Sequence, residues 1–220
     1  MKVLSLSDRI VSMVTSKSAR KRFADIDIIL GCGDLPYYYL ESIVDLLKKP
    51  VYFVRGNHAS EVEYSHKGDR TQPGGATDLH RRLLNVKGLL VAGFEGSVRY
   101  RPGPFQYTQG EMWNMVFMML PGLIWNRLVH GRALDVLVTH APPWGVHDQP
   151  DPAHRGFIAI RWLIKTFRPA YHFHGHIHIY SDASPIKTRF EKTWVINSYG
   201  YRETELQIDF LSLDQANSNG

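Results

Sequence analysis

IDIILGCGD, residues 26–34, is the stretch that decides the fold. A short run rich in isoleucine and leucine closes on Gly31-Cys32-Gly33 and then on Asp34, which is how a buried strand feeding a loop reads. The same grammar recurs along the chain. Residues 3–6 close on Asp8, 51–54 on Gly56-Asn57-His58, 89–92 on Gly93, 134–138 on His140, and 171–174 on Gly175-His176. Between these runs lie helical stretches. Residues 36–48 start with Pro36 in the first turn and end on Lys48 and Lys49 before Pro50. Residues 156–167 place Phe157, Ile160, Ile164 and Phe167 on one face ahead of Pro169. Alternation of strand and helix predicts a layered α/β fold.

Thr108 to Glu111 matches a capping box, and residues 112–129 follow with apolar side chains on nearly every face, predicting a buried or covered helix. It reads as a core or subunit-interface element, with a homodimer the partner it implies; an apolar lip for a lipid-linked or aromatic substrate is the alternative. Residues 193–196 and 203–211 read as further strands, and 63–76 as a long loop ending in Gln72-Pro73-Gly74-Gly75.

The chain has 220 residues, 44% of them hydrophobic and 21% charged, with 26 Lys and Arg against 21 Asp and Glu for a net +5. Disorder and low complexity are excluded. A single domain over residues 1–213 with a frayed tail at 214–220 is expected. One cysteine closes no intramolecular disulfide, residues 1–11 lack the pattern of a signal peptide, and the longest charge-free apolar stretch, 112–126, is too short to span a bilayer. The cytoplasm is the expected location. The positive charge favours anionic ligands such as a small phosphorylated substrate. The basic residues are scattered apart from residues 17–22, so nucleic acid is not the expected partner.

The chemistry gathers at the strand ends. Seven of eleven histidines fall between residues 140 and 178. Asp8, Asp34, Asn57, His58, His140, His176 and His178 all stand at or just past the carboxyl ends of expected strands, the edge where open α/β sheets bind ligands. Clustered carboxylates repel and imidazoles lose protons unless a cation joins them. A mixed oxygen and nitrogen set suits Mn, Fe or Zn. Two such ions sharing a carboxylate, ~3.5–4 Å apart, hold a water as hydroxide and neutralise a phosphoryl group for in-line hydrolysis.

Asp8, Gly33-Asp34, Gly56-Asn57-His58, His140 and Gly175-His176-Ile177-His178 resemble, in order, the five signature motifs of the calcineurin-like metallophosphoesterases. The segment from His140-Ala141-Pro142-Pro143 through Gly145 to Asp148 resembles a branch with a His-x-Pro-Pro-x-Gly-x-x-Asp pattern. The resemblance implies a four-layer α/β/β/α sandwich of two mixed sheets and a hydrolase of phosphomonoesters or phosphodiesters that binds two divalent ions. It implies Asp34 as the bridging carboxylate, Asp8 and His178 as further ligands of one ion, Asn57, His140 and His176 as ligands of the other, and His58 as the acid that protonates the leaving oxygen. Arg9, Arg99 and Arg101 are candidates to clamp a phosphate.

Three positions depart from the pattern. Ile10 stands where a ligand histidine is usual, so one site holds water there, binds its ion more weakly or prefers another ion. Tyr37 stands where an aspartate closes the second motif, and Ala59 where an acidic residue follows Gly-Asn-His. His58 therefore needs another orienting partner, with Asp148, His147 or a backbone carbonyl as candidates. The same departures motivate a different reading, a scaffold of this fold without turnover; a nuclease of this fold is the third. His172 and His174 read as strand or supporting residues, His66, His80 and His130 as surface residues, and Cys32 as a packed side chain.

Overall fold

The computed structural model describes residues 1–66, 68–180 and 185–208, and all six strand-like runs form strands in it. In chain order the strands are β1 (Lys2–Ser7), β2 (Ile28–Cys32), β3 (Val51–Val54), β4 (Ala76–Asp78), β5 (Leu83–Val86), β6 (Leu89–Phe94) and β7 (Ser97–Val98). They continue as β8 (Gln106–Tyr107), β9 (Val136–Thr139), β10 (Tyr171–His174), β11 (Lys187–Phe190), β12 (Thr193–Asn197) and β13 (Gly200–Glu205). The helices are α1 (Ala19–Arg22), α2 (Tyr37–Leu47), α3 (Gln109–His130) and α4 (Ile158–Phe167), with a 3-10 turn at Ser12–Thr15.

Two sheets result. The first runs β13-β1-β2-β3-β4, the second β11-β12-β10-β9-β6-β5. Within the first, β1 to β4 are parallel and β13 is antiparallel to β1. Within the second, β12, β10, β9 and β6 are parallel and the two edge strands are antiparallel.

Side-chain alternation along each strand sorts the core into layers. Val3, Ile28, Leu30 and Val54 meet Val91, Val136, Val138, Phe173 and Ile196 between the sheets. The opposite face of the first sheet, with Leu4, Leu6, Ile29 and Phe53, packs on Tyr39, Leu40 and Ile43 of α2 and on Ala19 and Phe23. The opposite face of the second, with Ala92, Phe94 and Leu137, packs on Met112, Val116 and Leu123 of α3 and Ile160, Leu163 and Ile164 of α4. The architecture is the four-layer α/β/β/α sandwich. Each fully buried aliphatic side chain in these layers stabilises it by about 1.5–3 kcal/mol.

The capping box forms as expected: Thr108 Oγ1 accepts from Glu111 N at 3.1 Å while Glu111 Oε2 accepts from Thr108 N at 2.6 Å. The helix it opens is not covered all round. Met112, Val116, Met119 and Leu123 are buried, but Met118, Trp125 and Leu128 stand in solvent. The helix runs through Pro121 without ending, and among the described residues no helix is long and apolar enough to cross a membrane. Five short strands escape the sequence reading, β4, β5, β7, β8 and β11, because each is brief and lies at a sheet margin or in the separate two-stranded ribbon. The last strand, read as residues 203–211, starts earlier and ends at Glu205; residues 209–211 and the tail at 214–220 lie outside the described residues.

Candidate metal centre

Parallel strands with their carboxyl ends at one edge bring distant residues together. Asp8 follows β1, Asp34 follows β2, Asn57 follows β3, His140 follows β9 and His176 follows β10. Asp8, Asp34 and His176 adopt the left-handed backbone region, with φ of 62°, 51° and 68°. Asp and His tolerate that region better than most residues. It reverses the chain directly after the strand and leaves each residue facing the crevice.

Three glycines make the close approach possible. A Cβ on Gly33 would collide with His140 Nδ1, one on Gly56 with Asp34 Oδ1, and one on Gly175 with Ser7 Oγ and Asp8 Oδ2. The glycines of the three motifs are thus required by packing against the carboxylates and imidazole themselves.

The hydrogen-bond arrangement around His140 carries the chemistry. His140 is fully buried, and its Nδ1–H donates to Cys32 O at 2.9 Å. Its Nε2 lies 3.2 Å from Asp34 Oδ2 and 3.0 Å from Asn57 Oδ1. A neutral imidazole with its proton on Nδ1 would aim a lone pair at two acceptor oxygens. The geometry is favourable only with a proton on Nε2 or a cation in its place. Burial opposes that proton, yet the Asp34 and Asp8 carboxylates outweigh it and lift the His140 pKa to about 9. Burial likewise works against the charge of Asp34, but His140 and the His58 N–H, which donates to Asp34 Oδ1 at 2.8 Å, hold its carboxyl down at about 2. The Asp8 carboxyl is raised by burial, with Asp34 adding to the shift. Ligand atoms of Asp8, Asp34 and His140 all lie within 4.8 Å of one another. An acceptor-rich cluster of that size fits a divalent cation.

His176 and His178 flank this cluster. The His176 N–H donates to Asp8 Oδ2 at 3.0 Å, and its Nε2–H donates to Ala153 O at 2.7 Å, which leaves Nδ1 as a free acceptor. A backbone carbonyl fixing one ring nitrogen is the usual way a metal-binding histidine is oriented. Burial and the charge of His140 push the His176 pKa down to about 3, so the ring is neutral. The His178 ring lies with Nε2 3.8 Å from Asp8 Oδ1 and Nδ1 2.6 Å from Tyr180 OH. Ile10 is 47% exposed and offers no ligand atom.

His58 is exposed and its ring has no hydrogen-bond partner among the described residues. None of its expected side-chain orienters reaches it. Asp148 is spent on Gly145 N and Gly156 N, and His147 on His174 and Thr188. The loop is held through its backbone instead. Besides the Asp34 bond, Tyr37 OH donates to Ser60 O at 2.8 Å and accepts from Arg55 Nε at 3.1 Å, while Glu63 receives the Tyr37 and Tyr38 N–H groups at the start of α2. Arg55 in turn pairs with Asp78 and with Glu95. The phenol at the departed aspartate position therefore anchors the loop that carries His58. Sequence reasoning missed Arg55, although a charged residue directly after an apolar strand run and before Gly56 was a visible signal.

Arg99 is committed to Glu111 and to Gln106 O, so its guanidinium is not free for a phosphate. Arg9 is exposed beside Asp8, and Arg101 is exposed with its guanidinium over Tyr100. His66 and His130 are surface residues, but His80 is largely buried beside Glu95 and stacked on Tyr107, with burial driving its pKa to about 4. Its position after β4, a strand the sequence did not disclose, explains the error. Cys32 is packed with its thiol on Ser198, and burial raises its pKa to about 12. His172 and His174 are buried strand residues: Thr188 donates to His147, His147 to His174, and His174 Nδ1–H to Gly175 O.

The comparisons agree with the geometry. The chain is 27% identical over 177 residues to UPF0046 protein K07C11.7 of Caenorhabditis elegans; the match takes in 70% of this chain and spans a little more than half, 57%, of the relative. The crystal structure of TT1561 from Thermus thermophilus superposes with a TM-score of 0.57 at 14% identity, covering 90% of this chain and 89% of that one. A second crystal structure gives 0.58 at 16% identity over 92% and 93% of the two chains. These two likenesses speak for the fold. Residues 7–180, from just before Asp8 to just past His178, match the model of the calcineurin-like phosphoesterases, and the chain belongs to that family.

Proposed function

We propose that the protein hydrolyses a phosphomonoester or phosphodiester with two divalent ions, of Mn, Fe or Zn, held at the strand-end cluster. The observation that carries this reading is the convergence of His140 Nε2, Asp34 Oδ2 and Asn57 Oδ1 within 3.2 Å, with no donor among them unless a proton or cation is supplied. Asp34 would bridge, Asp8 and His178 would complete one ion's ligands, and Asn57, His140 and His176 the other's. Bound ions would neutralise phosphoryl oxygens and activate the attacking water.

The chain's own residues do the rest. The Asp34–His58 N–H bond sets the acid's backbone against the bridging carboxylate, and the Tyr37–Ser60 bond steadies the following residues. An exposed imidazole with no hydrogen-bond partner among the described residues is free to turn toward a leaving oxygen and serve as its acid. Ile10 leaves one ion with fewer protein ligands and so the weaker site.

The test is metal content and turnover together. After chelation and reloading with Mn, Zn, Fe or Mg, the protein should hydrolyse p-nitrophenyl or bis(p-nitrophenyl) phosphate in a metal-dependent way. Absence of turnover with every ion would reject hydrolysis. Ile10, Tyr37 and Ala59 favour a second reading, a scaffold of this fold, which that outcome together with one ion or none would support.

A further inference from the structure

Beside the cluster lies a separate cavity of about 410 Å³, lined among others by Arg9, Ile10, Ile179, Tyr199, Tyr201 and Arg202. It is built from the same turns as the metal centre. Arg9 and Ile10 follow Asp8, and Ile179 follows His178. Tyr199 bridges to Ser7 and lays its ring 4.8 Å from that of His178. Tyr199, a wall of the cavity, thus stands against His178, a candidate ligand of the metal centre.

The charge of this cavity has one sign. Arg9 and Arg202 line it, and among the described residues no acidic one does. Arg202 donates from Nη1 to Tyr201 O, while its Nε is buried without a hydrogen-bond partner among the described residues. Two other partly buried arginines are spent on carboxylates, Arg55 on Asp78 and Glu95 and Arg70 on Glu41, while Arg161 bonds Trp144 O and lies over Trp144 and Phe190. That Nε has no accessible surface and does not itself meet a ligand; what the cavity offers an oxygen anion is the positive charge of the two guanidiniums, with no carboxylate among the described lining residues to neutralise it. Ile10, Ile179 and the tyrosine rings add apolar wall, the usual composition of a small-ligand site of this volume.

We propose that this cavity is a second anion subsite, which takes a carboxylate or phosphate at the far end of an extended phosphoester, with an apolar or aromatic spacer lying against Ile10 and Tyr199. The inference rests on the phosphoesterase reading only for the place of the ester phosphorus. Substrate preference then follows from two anchors, one at the ions and one at Arg202.

The experiment titrates metal-loaded protein calorimetrically with alkylphosphonates of increasing chain length in three forms: unsubstituted, carboxylated at the far end, and phosphonylated at the far end. At one chain length a doubly anionic probe should bind about tenfold more tightly than its unsubstituted counterpart. That advantage should vanish in Arg202→Gln while the Kd of the unsubstituted probe stays unchanged. The better of the two end groups identifies carboxylate or phosphate as the anion. No advantage at any length, or one that survives in Arg202→Gln, overturns the proposal. Should Arg202→Gln misfold, Arg202→Met, which keeps the apolar stem of the side chain and loses its charge, gives the same reading. If no phosphonate binds and no metal-dependent turnover is found either, the phosphoesterase reading fails, and the subsite is judged alone by titrating benzoate: binding lost in Arg202→Gln keeps it, and no binding, or binding that survives in that variant, ends it.

Discussion

His140 and His172 are both fully buried, one just past the end of β9 and the other within the neighbouring strand β10. Their protonation nevertheless runs in opposite directions. His172 Nε2–H donates to Thr139 Oγ1 at 2.8 Å and its Nδ1 has no partner; burial, with the His147 ring nearby, drives its pKa to about 3. His140 suffers the same burial but has Asp34 at 3.2 Å, and rises to about 9. Burial alone makes an imidazole a neutral packing group, whereas burial beside carboxylates favours a positive charge on or against the ring. Adjacent strands therefore carry a neutral histidine frame inside the sheet and a charge-binding set at its carboxyl edge.

The largest effect expected from breaking this contrast is on acid stability. His172, His147 and His80 have native pKa values of about 3, 4 and 4 against 6.5 in the unfolded chain. Between those limits the unfolded chain binds more protons. The stability these residues contribute is thus complete above pH 6.5 and is lost as pH falls from there through their folded values. Each should cost ~1.4 kcal/mol per pH unit within that window. Urea unfolding at stepped pH should show the slope, and His172→Leu should remove one histidine's share of it. An unchanged slope in the variant would refute the assignment.

At the other pole, Asp34→Asn removes the charge that His140 answers to and that the proposed ions would share. A loss of about 10³-fold or more in kcat, ~4 kcal/mol of barrier, with loss of bound metal by elemental analysis, is expected. His58→Asn touches neither set of buried histidines, and should lower kcat by about 10²-fold or more while metal content stays as in the parent. The smallest effect sharpens the contrast. Ile10→His adds an imidazole beside Asp8, and should tighten the weaker ion by about tenfold in a chelator competition, equivalent to ~1.4 kcal/mol.

Much of this is legible in the amino-acid order. Strand ends followed by Gly-Asp, Gly-Asn-His and Gly-His-x-His place Asp8, Asp34, Asn57, His140 and His176 at one edge, because apolar periodicity marks strands and the polar residue after a strand falls at its end. His58 is legible too, but what steadies its loop is not. Tyr37, Arg55 and Glu63 act there through bonds to a backbone carbonyl and to helix N–H groups, contacts set by the packing of α2 against β3 rather than by any spacing in the chain. The exposed outer face of α3 escapes for a similar reason. An apolar side chain signals a tendency to be buried, and whether a neighbour arrives to cover it depends on the rest of the fold.

The sequence by itself determined the alternation of strand and helix, the layered α/β class and the identity of the side chains at the crevice, since these follow from local periodicity and from turn chemistry that each segment carries alone. The three-dimensional arrangement decided which nitrogen of His140 faces the carboxylate, which histidines stay neutral, why Gly33, Gly56 and Gly175 admit no side chain, and where two arginines line a cavity with no acidic residue among its described walls. Protonation and ligand geometry depend on distances of a few ångströms between residues far apart in the chain, and only folding sets those distances.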